Sequence, residues 1–375
     1  MIKYGGGSIK RNGIFKAVTE ELTKNGISFV EAGGVEPNPT VEFVRTCRAK
    51  YISEGCDSIL AVGGGSVIDS SKLLACSVVM PADHDPWEIM EFKYHPTSIA
   101  PLYTVLTLSA SASEQDPSFV ISNIAKDLKF GRPLPPLGFP VASLVDPEFQ
   151  KTVPRHHVAH GAIDALVHTI DTYFGAYTDI DDKTSKVAVA PASIMEGIFH
   201  GLVETADKIL GDTSSVFDYH ARADLCWLCS AALNGIPQCG AGGDWTVHMI
   251  EHACSAAIHK MTHAAGLAVL VPSWIRFVEK HAPTKGAKLI LARFLKNCLG
   301  VDTVEEGVKE WRGMLKRWGV AVEMGELIKN LGWTKSHEEF VKEVAAIYMK
   351  MPISGMFPAM KPEFAEEIIR GSFGL

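Results

Sequence analysis

The chain has 375 residues, of which 47% are hydrophobic and 21% charged, with a formal net charge of −7. That length and apolar content allow two domains with buried cores and exclude global disorder. No basic block is present to track a phosphate backbone, so nucleic acid is not an expected partner.

The longest apolar runs, such as Ala264 to Trp274, fall short of the about 20 residues needed to cross a bilayer, and no membrane partner is expected. The start, M-I-K-Y-G-G-G-S, has no apolar signal region, and the 8 cysteines are scattered rather than arranged as a disulfide framework. Both features point to the cytoplasm.

In chain order, Ile14, Val18 and Leu22 keep a helical spacing, and I-S-F-V-E (27–31) predicts a strand. A Gly/Pro loop at 33–39 and a helix through Val44, Cys47 and Tyr51 lead into S-I-L-A-V (58–62), apolar on both faces like a central parallel strand. Directly after it comes G-G-G-S-V-I-D-S-S-K (63–72). A strand, a glycine run and a helix start form a phosphate cradle, because glycines admit the anion and the free N–H groups of the first turn point at it. A tight strand-to-helix turn without a ligand is the plainer alternative. The segments 101–107 and 141–147 extend the sheet, and T-L-S-A-S-A-S-E (107–114) is suited to lie beside a nucleotide. This alternation predicts a doubly wound α/β domain over residues 1–150.

Beyond Pro154 the pattern turns helical, which predicts a second, all-α domain over residues 151–375. Cys226 and Cys229 stand in a run that reads as the middle of a buried helix. His156, His157 and His160 read as hydrogen-bonded core or solvent-exposed side chains.

Four of the 14 histidines fall between Asp244 and Gly266. His248 and His252 are four apart, as are Asp164 and His168, so each pair shares one helix face. Asp164, His168, His248 and His263 would give one carboxylate and three imidazoles, a donor set suited to Fe²⁺ or Zn²⁺. As a Lewis acid, such an ion lowers the pKa of an alcohol so that it can yield a hydride to a nicotinamide.

The motifs Y-G-G-G-S-I-K-R-N-G (4–13), G-V-E-P-N-P (34–39), A-V-G-G-G-S-V-I-D-S-S-K (61–72), D-P-W (85–87), G-A-I-D-A-L-V-H-T (161–169), A-L-N-G (232–235), D-W-T-V-H-M-I-E-H and T-H-A-A-G-L-A-V-L-V-P occur in this order. Together they resemble the iron-containing (group III) alcohol dehydrogenases, and within them the butanol dehydrogenase-like branch that reduces aldehydes with NAD(P)H. The resemblance implies a Rossmann-like nucleotide-binding domain followed by a helical metal-binding domain, a dehydroquinate synthase-like architecture. It implies that Asp164, His168, His248 and His263 are metal ligands and that His252 lines the substrate pocket and relays a proton. Gly63, Gly64, Gly65 and Ser66 would hold the pyrophosphate, with Asp69 behind them. Thr107, Leu108 and Ser109 would line the nicotinamide side, Lys129 would reach the ribose, and Asn38 belongs to the 34–39 cofactor motif. The turn Gly5, Gly6, Gly7 and Ser8 stands where NAD-preferring relatives carry an aspartate, so NADP(H) is expected over NAD(H). The substrate is expected to be a small alcohol or aldehyde, and the assembly a homodimer.

Three departures qualify the resemblance. Only Ile2 and Lys3 precede the Tyr4 motif, so either the first domain lacks its first strand and hairpin or the sequence is part of a longer protein. The spacing from His252 to His263 is one residue longer than in most relatives, which brings His259 forward as a competing ligand. S-A-S-E-Q-D-P-S (111–118) and the proline-rich 132–139 differ from the family pattern on the nicotinamide side. A cofactor-binding homologue without turnover and a metal-dependent lyase on the same scaffold remain the alternatives.

Overall fold

The computed structural model describes residues 1–178, 186–211, 217–282, 284–351 and 360–374. The chain divides into two compact units, Met1–Val153 and Pro154–Leu375.

The first unit runs β1 (Ile2–Tyr4), α1 (Ser8–Arg11), α2 (Ile14–Lys24), β2 (Glu31–Gly33), α3 (Val41–Ser53), β3 (Ile59–Gly63), α4 (Gly65–Ser77), α5 (Trp87–Met90), β4 (Leu102–Leu106), β5 (Ser118–Asn123), β6 (Leu128–Pro133) and β7 (Ala142–Val145). Five strands form a parallel sheet in the order β2-β1-β3-β4-β7. The expected loss of the first strand is therefore corrected, because Ile2, Lys3 and Tyr4 pair on both sides, with β2 and with β3. Burial explains why so short a strand holds: Ile2 and Tyr4 pack into one cluster with Ile9, Ile14, Val62 and Val105.

The short strand also limits its neighbour. Sequence alternation predicts a strand over 27–31, but β2 begins only at Glu31 and Ile27 is exposed. Its register, Ile2↔Glu31 to Tyr4↔Gly33, can be no longer than β1 allows. The antiparallel β5–β6 pair escapes the sequence reading, although F-V-I (119–121) buries Phe119 and Ile121 in strand alternation.

Lys3 points away from the Ile2/Tyr4 cluster and is fully buried. Its Nζ donates to the Ser70 carbonyl (2.8 Å) and to Ser70 Oγ (2.6 Å) on α4. All of Val67–Ser77 in α4 is buried. Lys72 donates to the carbonyls of Asp116 and Ser118, each at 2.7 Å, and Asp69 accepts from Ser113 Oγ and the Val120 N–H. These contacts tie the altered 111–118 loop to the helix that follows the glycine run.

The second unit is built from α6 (Arg155–Tyr173), a two-residue ladder of β8 (Tyr177–Thr178) with β9 (Lys186–Val187), then α7 (Val189–Gly211), α8 (Tyr219–Leu233), α9 (Thr246–Ala257), α10 (His263–His281), α11 (Lys285–Cys298), α12 (Val304–Arg317), α13 (Met324–Asn330), α14 (His337–Tyr348) and α15 (Pro362–Gly371). Helix α6 packs on α7, α8 and α10, and α9 packs on α10 and α14. Asp218, Thr284, Thr303 and Ser336 cap the helices that follow them by accepting a backbone N–H. Cys226 and Cys229 are buried inside α8. Among the described residues, no helix is long and apolar enough to cross a membrane.

Burial pushes the Lys3 ammonium down to about 8, with the nearby Cys47 thiol opposing the shift. Folded Lys3 thus loses its proton near pH 8, whereas the unfolded side chain keeps it to about 10.4. The unfolded state binds more protons in that window, so stability rises with pH across it, by on the order of 3 kcal/mol. Urea denaturation at pH 7.5 and pH 10 should show this rise in the parent and not in Lys3→Met; equal pH responses would refute it.

Candidate metal centre and nucleotide turn

Helix α6 carries Asp164 and His168 one turn apart, α9 carries His248 and His252, and α10 begins at His263. The structure brings four of these side chains to one point. The Nε2 atoms of His168 (3.7 Å), His248 (3.7 Å) and His263 (3.6 Å) all approach Asp164 Oδ1. These distances are too long for hydrogen bonds. They match a coordination polyhedron, since two ligands each about 2.1 Å from a tetrahedral ion lie roughly 3.4 Å apart. Asp164 Oδ1 and His248 Nε2 are buried and have no hydrogen-bond partner among the described residues, so the donor set fits a divalent cation.

Two carboxylates absent from the sequence reading orient the imidazoles. Asp171 accepts from His248 Nδ1, and Glu251 accepts from His263 Nδ1 and from Ser255 Oγ. Each fixes the tautomer that leaves Nε2 free to ligate. The signal lies in the spacing: Asp171 is two turns from Asp164 on the same face, and Glu251 is three residues from His248.

The electrostatics follow from burial and charge. Burial alone would raise the Asp164 carboxyl, but His168, His248 and His263 outweigh it and hold it well below the usual range. Burial pushes His168 down to about 3, which keeps its imidazole neutral. Burial also opposes a charge on His248, yet Asp171 and Asp164 together push it up to about 9.

His252 is buried, and its ring lies 5.2 Å from that of His263. Glu251, His252 and His263 form a second group of atoms close enough to share an ion, beside Asp164, His168 and His248. His259 belongs to neither group. His259 lies in the turn between α9 and α10, where the Met261 N–H donates to the Ile258 carbonyl. His156 and His157 are exposed and His160 half-buried.

Trp245 precedes α9 with φ 61° and ψ 5°, a left-handed conformation that costs a bulky residue on the order of 1–3 kcal/mol. Its indole lies 5.6 Å from the His248 ring and 6.3 Å from the His168 ring, and those two imidazoles stack in parallel at 4.7 Å.

In the first unit, β3 ends at Gly63, Gly64 is extended and α4 begins at Gly65. Close packing requires two of these glycines: a Cβ on Gly63 would meet Val67 at 2.5 Å, and one on Gly65 would meet Ser111 Oγ at 2.2 Å. Gly64, Gly65 and Ser66 remain partly accessible, and the first N–H groups of α4 have no helical acceptor. Leu108 packs against Gly64, and the Thr107 N–H donates to the Gly63 carbonyl. Gly5, Gly6, Gly7 and Ser8 form the other turn, with Gly7 at φ 90° and open space around Gly6. Ser109 is buried and held by Gln150, which donates to its Oγ at 2.7 Å. Asp69 is committed to Ser113 and Val120, Lys129 is buried on β6 opposite Ser122, and Asn38 is buried at φ 55°.

Residues 1–147 match the family described as iron-containing alcohol dehydrogenase, and residues 158–370 match the C-terminal part of the Fe-containing alcohol dehydrogenase family. A probable NADH-dependent butanol dehydrogenase 1 of Bacillus subtilis (strain 168) is 38% identical over 296 residues, 78% of this chain and 72% of the relative. The NADPH-dependent aldehyde reductase YqhD of Escherichia coli (strain K12) is 34% identical over 77% of this chain and 70% of its own length. The crystal structure of NADH-dependent butanol dehydrogenase A from Thermotoga maritima superimposes with a TM-score of 0.86 at 30% identity, covering 98% of this chain and 89% of that one. This chain belongs to the iron-containing alcohol dehydrogenase family.

Proposed function

We propose that the protein is a metal-dependent alcohol dehydrogenase or aldehyde reductase that moves a hydride between NAD(P)(H) and a primary alcohol or aldehyde. The observation that carries the reading is the convergence of three imidazole Nε2 atoms on the unpartnered Asp164 Oδ1. In it, Asp164, His168, His248 and His263 hold Fe²⁺ or Zn²⁺, and the Gly63–Ser66 turn holds the dinucleotide's pyrophosphate. When bound, the ion supplies a Lewis acid for the alcohol or carbonyl oxygen, and the dinucleotide supplies or accepts the hydride. The chain's own residues do the rest. Asp171 and Glu251 hold protons on His248 Nδ1 and His263 Nδ1, and Asp164, His168 and His248 are buried while His263 stays partly accessible. An imidazole nitrogen of His252 passes a proton to or from the substrate oxygen.

Purified protein supplied with Fe²⁺ or Zn²⁺ should oxidise NADPH with butanal. His263→Ala should abolish this, and Asp171→Asn should weaken metal affinity by about 10–100-fold, read by competition with a chelator. Full activity and normal metal content in the His263 variant would sink the assignment.

Relatives of similar identity bear names that divide between NADH and NADPH, so the Gly5–Ser8 turn is the guide to the coenzyme. It offers no carboxylate, the nearest β2 acid Glu31 is occupied by Tyr4 and Lys10, and Arg11 Nη1 lies 3.9 Å from a Cβ placed on Gly7. A basic turn of this kind favours the 2′-phosphate of NADP(H). Because Gly6 has open space around it, Gly6→Asp should fold and shift the NADPH to NADH ratio of kcat/KM toward NADH by about tenfold or more. An unchanged ratio would remove this turn from coenzyme selection.

A homodimer in the cytoplasm completes the proposal. The exposed apolar residues Val141, just before the edge strand β7, and Leu144 on it support a second copy, and sedimentation should return twice the 40.7 kDa chain mass.

A further inference from the structure

We propose that Trp245 is a positioning residue for the His168–His248 pair and the apolar wall along which the carbon chain of the substrate lies, an inference that rests on the metal reading above. Three observations converge on it. First, the backbone path is fixed from both sides. The Asp244 N–H donates to the Asp171 carbonyl at 2.9 Å, Asp244 Oδ2 accepts from the Thr246 N–H at 3.0 Å, and the Trp245 carbonyl accepts the first helical bond of α9 from Met249 at 3.0 Å. That path demands a positive φ at 245, which glycine or asparagine adopts with least strain. One of the bulkiest side chains stands there instead, so the position serves the indole and not the turn.

Second, room for the indole is built in. A Cβ on Gly243 would meet Trp245 Nε1 at 2.3 Å, and one on Gly175 would meet the Ala241 carbonyl at 2.6 Å, so the loop lies flat on the end of α6 and under the ring. Third, the indole meets both stacked imidazoles at steep angles, 58° to His168 and 66° to His248. It flanks the stack, in contact with both rings, and hinders the ring rotation that would carry either Nε2 away from Asp164 Oδ1. Asp171 restrains His248 through Nδ1, but His168 Nδ1 is buried with no hydrogen-bond partner among the described residues. Ring packing against Trp245 therefore supplies for His168 what a carboxylate supplies for His248. While His168 and His248 are buried, Trp245 stays half-buried, leaving an aromatic surface beside the ligands for an alkyl chain.

The test compares the full-length parent with Trp245→Gly, which relieves the backbone and deletes the indole, and Trp245→Phe, which keeps a ring. Each protein is loaded with Co²⁺, and metal loss to excess chelator is timed. KM and kcat are then measured for straight-chain aldehydes of two to six carbons. Trp245→Gly should release Co²⁺ about tenfold faster or more, with Trp245→Phe between it and the parent. In the parent KM should fall by up to about fourfold per added methylene, and in Trp245→Gly this dependence should flatten. Co²⁺ should also quench part of the parent's tryptophan emission that is missing from Trp245→Phe. Parent-like release and an unchanged KM series in Trp245→Gly would overturn the inference with the metal reading intact. Failure of the parent itself to take up a divalent ion would instead overturn the metal reading, and this inference with it. Should Trp245→Gly fail to fold, the same release and KM measurements on Trp245→Phe decide, a parent-like outcome in both overturning the inference.

Discussion

The carboxylate oxygen of Asp164, faced by three imidazole nitrogens and hydrogen-bonded to none of them, is the constraint around which the second unit is arranged. A buried carboxylate oxygen without a partner is costly, and among the described residues no donor reaches Asp164 Oδ1 at hydrogen-bond distance. Three helices nonetheless aim their polar groups at that one point: α6 through Asp164 and His168, α9 through His248, and α10 through its first residue. In the metal reading proposed above, a positive charge from outside the chain completes this convergence, and ion binding would then be coupled to the packing of these helices.

The first unit meets a different requirement, holding backbone N–H groups in place. Its central helix α4 is buried along most of its length, and side chains that would ordinarily be solvated are spent on neighbouring backbone: Lys3 on Ser70, Lys72 on the 116 and 118 carbonyls, Asp69 on the Val120 N–H. Each bond fixes a segment that borders the glycine turn. The departures of the 111–118 loop from the family pattern therefore sit on an anchored frame, with Ser113 itself one of the anchors.

Much of this was legible in the sequence where one periodicity or one spacing carried the information. The i, i+4 pairs Asp164/His168 and His248/His252 mark helix faces, and G-G-G-S after an apolar run marks a strand-to-helix turn. What escaped depended on partners distant in the chain. Asp171 and Glu251 look like ordinary helix acids until α6 and α9 are set side by side. The extent of β2 is dictated by the three residues of β1, which local propensity cannot report. The small, polar 107–114 segment and the proline-rich 132–139 segment flank the β5–β6 pair, and they masked the alternation that buries Phe119 and Ile121. Trp245 reads as an apolar residue beside a helix start, and its left-handed backbone has no local sequence signature.

The orienting carboxylates have one more consequence. Asp164, Asp171 and Glu251 together exceed the formal charge of a single divalent ion by one, in a pocket where His168 is held neutral. With a divalent ion bound as proposed above and all the imidazoles neutral, these carboxylates would leave the centre mildly anionic. Neutral alcohols and aldehydes enter such a cavity without penalty, whereas a molecule bearing its own carboxylate meets like charge at the point of reaction. In that state the two residues that aim the imidazoles would also weigh against a ligand that carries its own carboxylate.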